Sequence, residues 1–349
     1  MSHTSELYPY PAGWYCLAPS LELKPGNLKT VVFAGHDYVL FRTASGEVAA
    51  LDAYCPHLGA HMGKGGCVKG ETVVCPFHGF RFDTTGQCVE TAYGADPPAR
   101  AKVQKLLLRE RNGQIIAWHH PEGLEPTFEV PEYETTGWRD PLFKTMNLRS
   151  HPQEVSENSV DLGHLTVVHG YRGVENTVPV RSDGAYLTLN YRIRRKNPYG
   201  LGPAEVLTNF KVNVHGLGVS IVEIRVETFG LQLRLHILPT PERDGRITLR
   251  AGLQLRAIED ATTIHPLARF VPKFILNEAI QRSTLHGIAN DVLQDFDIWE
   301  NKVFVDPPIL AKGDGPIAHY RRWCRQFYSS ASAPDVPAKA TAVPANAAE

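Results

Sequence analysis

Residues 55–78 read CPHLGAHMGKGGCVKGETVVCPFH and contain two short pairs of cysteine and histidine. The first pair is Cys55-Pro56-His57, and the second, Cys75-Pro76-Phe77-His78, begins after 17 intervening residues. Each pair follows a candidate strand, so we expect a bound metal to join the tips of two hairpins. Thiolate and imidazole groups combined in this way are typical ligands of zinc and of iron–sulfur clusters.

The grouping of the ligands favours one of these two metal centres. Zinc modules usually place two ligands of one type close together, as C-x2–4-C followed by H-x3–5-H. A Rieske [2Fe–2S] cluster is bound by two Cys on one iron and by two His on the other. Each loop here offers one ligand of each type, which favours the Rieske cluster over zinc. The predicted cluster ligands are Cys55, His57, Cys75 and His78.

Composition excludes several classes of protein. The 349 residues include 36 Lys and Arg and 37 Asp and Glu, a formal net charge of −1. Binding nucleic acid by bulk charge requires a cationic excess, which this chain lacks. We expect no membrane span, because no run approaches 18 consecutive apolar residues. Six cysteines without a recognisable export signal predict a reducing, cytoplasmic location.

Changes in periodicity divide the chain into two predicted domains. Short alternating runs broken by Gly, Pro and Asn predict an all-β domain over residues 1–122, with a hairpin turn at Asn112-Gly113. Repeated alternation over residues 186–255 predicts an antiparallel sheet within a second domain, residues 123–328. The remaining predicted segments are helices over residues 153–169 and 267–301 and a disordered Ala/Pro-rich tail over residues 329–349.

A second group of candidate metal ligands lies in the first predicted helix. Asp161 and His164 are three residues apart and would share a helix face. His169 would not align with His164, so the helix must distort or end between them. Two imidazoles and one carboxylate with open positions form the facial triad of non-haem Fe(II) oxygenases. The alternative is that these histidines are core or capping residues without a ligand.

Three aspartates in the long C-terminal helix are candidates for the missing carboxylate. They are Asp291, Asp295 and Asp297. The apolar residues of this segment form one helix face, and Asp295 lies nearest to the centre of that face. Asp295 is therefore the favoured third ligand, while the pattern leaves Asp291 and Asp297 open.

Taken together, these motifs resemble the α component of the Rieske non-haem iron oxygenases. The resemblance rests on Gly13-Trp14-Tyr15, on the two Cys–His loops, on Glu157-Asn158 before the histidines and on Gln294-Asp295. It implies an α+β fold, with an N-terminal Rieske domain followed by a helix-grip catalytic domain, and a homotrimer. It also implies that His164, His169 and Asp295 bind the mononuclear iron and that Asp161 bridges the two metal centres of neighbouring subunits.

Within the family, Cys55-Pro56-His57-Leu58-Gly59-Ala60 and Ile298-Trp299-Glu300-Asn301-Lys302 resemble the steroid-acting branch. This implies a terminal oxygenase that hydroxylates an apolar, steroid-like substrate with O2. Its electrons would come from NAD(P)H through a flavin and iron–sulfur reductase, or through a ferredoxin and its reductase. One alternative is oxidative desaturation of a sterol at the same site. Another is a Rieske electron carrier fused to a non-catalytic ligand-binding domain, which would hold two irons per chain rather than three.

Overall fold

The computed structural model describes residues 9–197 and 203–328, so the predicted tail, residues 329–349, lies outside the described residues. The N-terminal half consists of small antiparallel sheets, in the orders β2-β3-β4, β5-β6-β7-β8 and β1-β10-β9. Its strands are β1 (Gly13–Pro19), β2 (Leu28–Phe33), β3 (His36–Arg42), β4 (Val48–Asp52), β5 (Cys67–Lys69), β6 (Thr72–Val74), β7 (Arg81–Phe82), β8 (Cys88–Glu90), β9 (Leu108–Arg111) and β10 (Gln114–His119).

The predicted hairpin at Asn112-Gly113 is confirmed. Both residues have positive φ angles, 53° and 75°, and they connect β9 to β10. A two-residue turn of this kind matches the twist of the strands that it connects, which explains the Asn-Gly preference. The two Cys–His loops also follow strands, the first after β4 and the second after β6.

The C-terminal half is built on a seven-stranded antiparallel sheet, in the order β11-β17-β16-β15-β14-β13-β12. Its strands are β11 (Leu142–Arg149), β12 (Arg172–Asp183), β13 (Tyr186–Lys196), β14 (Glu205–His215), β15 (Val219–Val226), β16 (Leu231–Pro241) and β17 (Arg246–Leu255). The helices are α1 (Pro152–Glu157), α2 (Leu162–Val167), α3 (Lys273–Gln294), α4 (Phe296–Asn301) and α5 (Ile317–Cys324). With sheets in both halves and α-helices in the second, the α+β class is confirmed.

One face of this sheet packs against α3. Tyr191, Phe210, Ile224 and Leu233 are direct neighbours on the adjacent strands β13 to β16. Because residues in register on neighbouring strands point to the same side, they form one apolar row across the sheet. Side chains of α3 lie opposite this row, and a cavity remains between helix and sheet.

Both predicted helices are interrupted. The first is two short helices, because the Asp161 side chain caps the start of α2. The predicted helix over residues 267–301 begins as a 3-10 segment, Pro266–Phe270, and Pro272 precedes α3. Proline lacks an N–H and fits the first turn of a helix better than its interior, which explains this boundary. None of the helices in the described residues is long and apolar enough to cross a membrane.

The two halves share one hydrophobic core. Trp14 and Trp118, from the first half, belong to the same buried cluster as Leu187 and Val214 of the large sheet. The domain boundary near residue 122 stays a prediction, since β10 ends at His119 and the next strand begins only at Leu142.

Buried Arg250 on β17 ties strand β1 to the large sheet. Its guanidinium donates hydrogen bonds of 2.8 Å to the backbone oxygens of Cys16 and Leu17. Leu17 lies where the pairing of β1 with β10 shifts register, so its carbonyl lies at an irregularity of the strand ladder. Arg250 therefore stabilises the bulge and the junction between the two halves.

We expect Arg250→Met to lower the free energy of unfolding by about 1–3 kcal/mol, because it leaves a buried carbonyl without its donor. The measurement is denaturant unfolding, and Arg246→Met, at an exposed position of the same strand, is the matched control. Equal stability of the two variants would contradict the bracing role of Arg250.

Candidate metal centres

The two Cys–His loops have the same backbone hydrogen bonds. In the first loop the N–H of Cys55 donates to the oxygen of Ala60, and the N–H of Gly59 donates to the oxygen of Cys55. Cys75, Phe80 and Gly79 repeat both bonds in the second loop. The two glycines have φ angles of 75° and 66°, which lie in the region that favours glycine. The loops are therefore a matched pair that presents ligands from two sides.

The two cysteines and the two histidines among the candidate ligands differ in burial. Cys55 and Cys75 are each 2% exposed, whereas His57 is exposed and His78 is half-buried. Burial, together with the charge of Cys75 and a hydrogen bond with it, raises the pKa of Cys55 to about 11. The imidazole rings of His57 and His78 lie 4.7 Å apart, centre to centre. Two adjacent buried thiols beside two adjacent imidazoles match a two-iron cluster with sulfur ligands on one iron and nitrogen ligands on the other.

These four donors do not converge on one point. Around a tetrahedral zinc ion with bonds of about 2.0–2.3 Å, all four donor atoms would lie within about 4 Å of one another. Among the described residues, only one group of three or more such side chains has all its donor atoms within 4.8 Å, and it lies elsewhere in the chain. The geometry of the loops thus favours a two-iron cluster over zinc.

That converging group is His164, His169 and Asp295. Helix α2 ends at Val167, between the two histidines, as their spacing predicted. Asp295 lies at the junction of α3 and α4. The ends of separate helices therefore bring together side chains that are 131 positions apart at their widest separation.

Asp295 is the most buried of the three candidate carboxylates. It is 5% exposed, whereas Asp291 is half-buried and Asp297 is exposed. Burial raises the pKa of Asp295, while His169 and His164 lower it. The Oδ2 atom of Asp295 lies 3.6 Å from Nε2 of His169. A buried carboxylate opposite two imidazoles is a donor set that suits a divalent cation.

Hydrogen bonds outside this group orient its members. Gln294 Oε1 lies 3.2 Å from Nδ1 of His169, which leaves Nε2 directed at Asp295. The side chain of Asn158 hydrogen-bonds to Asp295 and lowers its pKa. Such outer contacts fix the tautomer and the ring orientation of metal-binding histidines. Asn158 and Gln294 belong to the motifs that carry the family resemblance, but no role was predicted for them, because neither side chain is itself a typical metal ligand.

Asp161 acts as the N-cap of α2 rather than as a neighbour on a helix face. Its Oδ1 accepts a 3.1 Å hydrogen bond from the N–H of His164 and lies 3.7 Å from Nδ1 of the same residue. Burial raises the pKa of Asp161, but the contacts with His164 outweigh this effect and hold that pKa below its ordinary value. Asp161 is therefore a partly exposed carboxylate directly beside one of the grouped histidines.

Comparison with known proteins assigns the class. Residues 13–106 match the Rieske [2Fe-2S] domain, and residues 117–328 match the 3-ketosteroid 9alpha-hydroxylase C-terminal domain. The chain is a Rieske-type oxygenase, an oxidoreductase, and its N-terminal part is a domain of the kind that carries a [2Fe–2S] cluster. It belongs to the family defined by the 3-ketosteroid 9alpha-hydroxylase C-terminal domain, as the resemblance implied.

Relatives of two activities match over most of the chain. Cholesterol 7-desaturase nvd 1 from Ciona intestinalis is 33% identical and aligns with 93% of this chain and 70% of its own length. The oxygenase component of a 3-ketosteroid-9-alpha-monooxygenase from Rhodococcus rhodochrous is 27% identical and aligns with 90% of this chain and 83% of its own. The crystal structure of dicamba monooxygenase bound to dicamba, 20% identical, covers 90% of this chain and 96% of its own, with a TM-score of 0.65, which shows the shared fold.

We expect Asp295→Ala to lower the iron content of the purified protein from about three atoms per chain to about two, because the cluster loops remain intact. Asp297→Ala, at an exposed position of α4, should retain about three. Elemental analysis, combined with the electron paramagnetic resonance (EPR) signal of the reduced cluster, measures both. Three irons in Asp295→Ala would exclude Asp295 as a ligand.

Proposed function

We propose that the chain is the terminal oxygenase of a multicomponent system, and that it hydroxylates or desaturates a steroid-like substrate with O2. The single observation that carries this proposal is that His164, His169 and Asp295 form a compact donor group at the edge of an apolar cavity. In this proposal they hold Fe(II), and the loop residues Cys55, His57, Cys75 and His78 hold the [2Fe–2S] cluster. A reductase, or a ferredoxin and its reductase, would supply electrons from NAD(P)H.

The cavity beside the donor group supports an apolar substrate. Its central chamber, about 120 Å³, lies between α3 and the apolar row across the sheet, and His169 lines it. It adjoins a chamber of about 290 Å³ and another of about 510 Å³, with which it shares wall residues. Pockets for drug-sized ligands usually measure roughly 300–1,000 Å³, so the central chamber next to His169 is too small for a steroid by itself, and such a ligand would have to extend into an adjoining chamber.

In this proposal the protein contributes orientation and exclusion of water. His164, His169 and Asp295 would hold Fe(II) with three side chains and leave positions open on it, and activation of O2 is the chemistry that the metal would supply. Gln294 holds the His169 ring with Nε2 toward Asp295, and Asn158 holds the carboxylate of Asp295. Apolar side chains of the sheet keep bulk water away from the reacting carbon.

We also infer that the chain works as a homotrimer in which Asp161 links the cluster of one subunit to the mononuclear site of the next. Exposed apolar side chains on the cluster loops and near the mononuclear site support this arrangement. Leu58 and Phe77 project from the cluster loops, whereas Val167 and Ile309 are exposed on α2 and on the segment that precedes α5. Exposed apolar patches of this kind commonly mark protein–protein interfaces.

The cytoplasm is the proposed location. All six cysteines are free of disulfide bonds, and proteins in a reducing compartment have this property.

The direct test of the function is a reconstituted turnover assay with a generic reductase, NADH and a panel of sterols and ketosteroids. Mass spectrometry distinguishes the two reactions, because hydroxylation adds about 16 mass units and desaturation removes about 2. An O2-dependent product from at least one steroid is expected. A protein with about two irons per chain and no product would instead be an electron carrier.

Asp161→Asn separates the proposed electron transfer from folding. Asparagine caps a helix as well as aspartate does, so α2 and both metal centres should persist. Loss of the charge should slow substrate-triggered oxidation of the prereduced cluster by about 10–100-fold, the usual cost of removing an outer contact of a metal site. Stopped-flow absorbance measures this rate, and sedimentation velocity should give a trimer for both proteins. A wild-type rate, or an active monomer, would contradict the bridging role.

A further inference from the structure

The wall of the chambers beside the proposed iron site includes Tyr191 and Thr284, and three further polar side chains interrupt it. They are Tyr171, Arg195 and Asp291, and each lines both the central chamber and the adjoining 290 Å³ chamber. Most of the remaining wall of the central chamber is apolar; its apolar residues are Leu165, Phe210, Ile224, Leu233, Leu235, Ile288 and Val292. Polar groups at an apolar wall are costly unless they are hydrogen-bonded, so this trio requires a reason.

Two members of the trio, Asp291 and Tyr171, are close in sequence to the metal-site residues. Thr284, Ile288 and Asp291 recur every three or four positions and therefore lie on one face of α3, and Asp295 continues this spacing directly after the last residue of the helix. Asp291 is one helical turn before Asp295, about 6 Å along the helix axis. Tyr171 follows His169 by two residues. A ligand group bound by the trio would thus lie in the chambers that His169 also lines.

The contacts within the trio leave hydrogen-bonding capacity unused. The hydroxyl of Tyr171 donates a 2.6 Å hydrogen bond to Oδ2 of Asp291. Arg195 also interacts with the Tyr171 side chain. The Nε atom of Arg195 is buried and has no hydrogen-bond partner among residues 9–197 and 203–328. The Tyr171 hydroxyl bonds only Oδ2 of Asp291, so the second oxygen, Oδ1, is the acceptor that a ligand would use.

The hydrogen-bonding capacity of these side chains predicts which oxygen-containing group of a substrate they bind. Arginine offers only donors and a carboxylate offers only acceptors, so the pair is complementary to a group that both accepts and donates. A hydroxyl does both, whereas a ketone only accepts. A substrate carboxylate would face the negative charge of Asp291 at short range.

We propose that Arg195 and Asp291, with Tyr171 holding the carboxylate in place, bind a hydroxyl on the terminal ring of the substrate, so that the chain prefers a hydroxysterol to the matching ketosteroid. This inference rests on the proposed function and specifies its substrate class. The hydroxyl accepts a hydrogen bond from the guanidinium and donates one to the carboxylate. The adjacent fused ring then lies next to His164, His169 and Asp295.

The test uses two ligands that differ only at this oxygen, 5α-cholestan-3β-ol and 5α-cholestan-3-one. Equilibrium binding of each tritiated ligand, in cyclodextrin, is measured on the anaerobic, iron-loaded protein. We expect the wild-type protein to bind the alcohol about 10–100-fold more tightly, the range for a hydrogen bond to a charged group. Asp291→Asn presents an amide N–H that can donate a hydrogen bond to a ketone, so the ratio of the affinities for the alcohol and the ketone should fall to about one. Arg195→Met should weaken the binding of both ligands equally and leave the ratio of their affinities unchanged.

Asp297→Asn, at an exposed position on α4, is the control and should bind both ligands as the wild type does. If the contact of Tyr171 with Asp291 only joins the segment before β12 to α3, Asp291→Asn will change thermal stability without changing the ratio of affinities, and the proposal is wrong. Equal affinity of the wild type for the two ligands, or binding of neither, also overturns it. These outcomes differ from failure of the proposed function, which is the absence of product from every steroid in the turnover assay.

Discussion

A carboxylate buried opposite two imidazoles is the constraint on which the catalytic half depends. Asp295 is 5% exposed, and moving an ionised carboxylate to such a position is unfavourable unless a positive charge or several hydrogen bonds compensate. His164, His169 and Asn158 provide part of that compensation. A cation held between the three donors would provide the rest. Two of the surrounding helices end next to these donors, α2 at Val167 shortly before His169 and α3 at Gln294 directly before Asp295.

A buried ionic network holds these helix ends in place. Glu157, at the end of α1, receives two hydrogen bonds from Arg321 of α5, at 2.6 and 2.8 Å. Lys302, just after α4, pairs with Glu154 of α1 at 2.5 Å. Charges that are buried and paired are weak contributors to net stability but strongly disfavour arrangements that separate them. The network therefore fixes α1 relative to α4 and α5, and with it the Asn158–Asp161 segment that carries the contacts to the metal site.

Local patterns predicted much of the fold but not the details that assemble the site. The Asn112-Gly113 hairpin and strands β13, β15, β16 and β17 follow from turn chemistry and alternation, which are properties of neighbouring residues. Strand β12 was missed because it is largely exposed and its pairing with β13 shifts register repeatedly, so it shows no regular alternation. Asp295 was predicted from the face of a helix even though that helix breaks at this residue. The Tyr171–Asp291 contact joins positions 120 residues apart, and no local signal encodes it.

The two candidate metal centres differ in which of their side chains are exposed to solvent. At the cluster loops the cysteines are buried while His57 is exposed, so the imidazole edge is the side that another protein or subunit can approach. At the other site His164 and His169 lie inside, and Asp161 is the partly exposed group beside them. In the proposed electron path, an electron would pass from an exposed imidazole of one subunit to the mononuclear site of the next, and a polar group at the surface between them would assist this transfer. In this proposal Asp161 would occupy that position while it caps α2, so that one carboxylate would serve both the helix and the metal site.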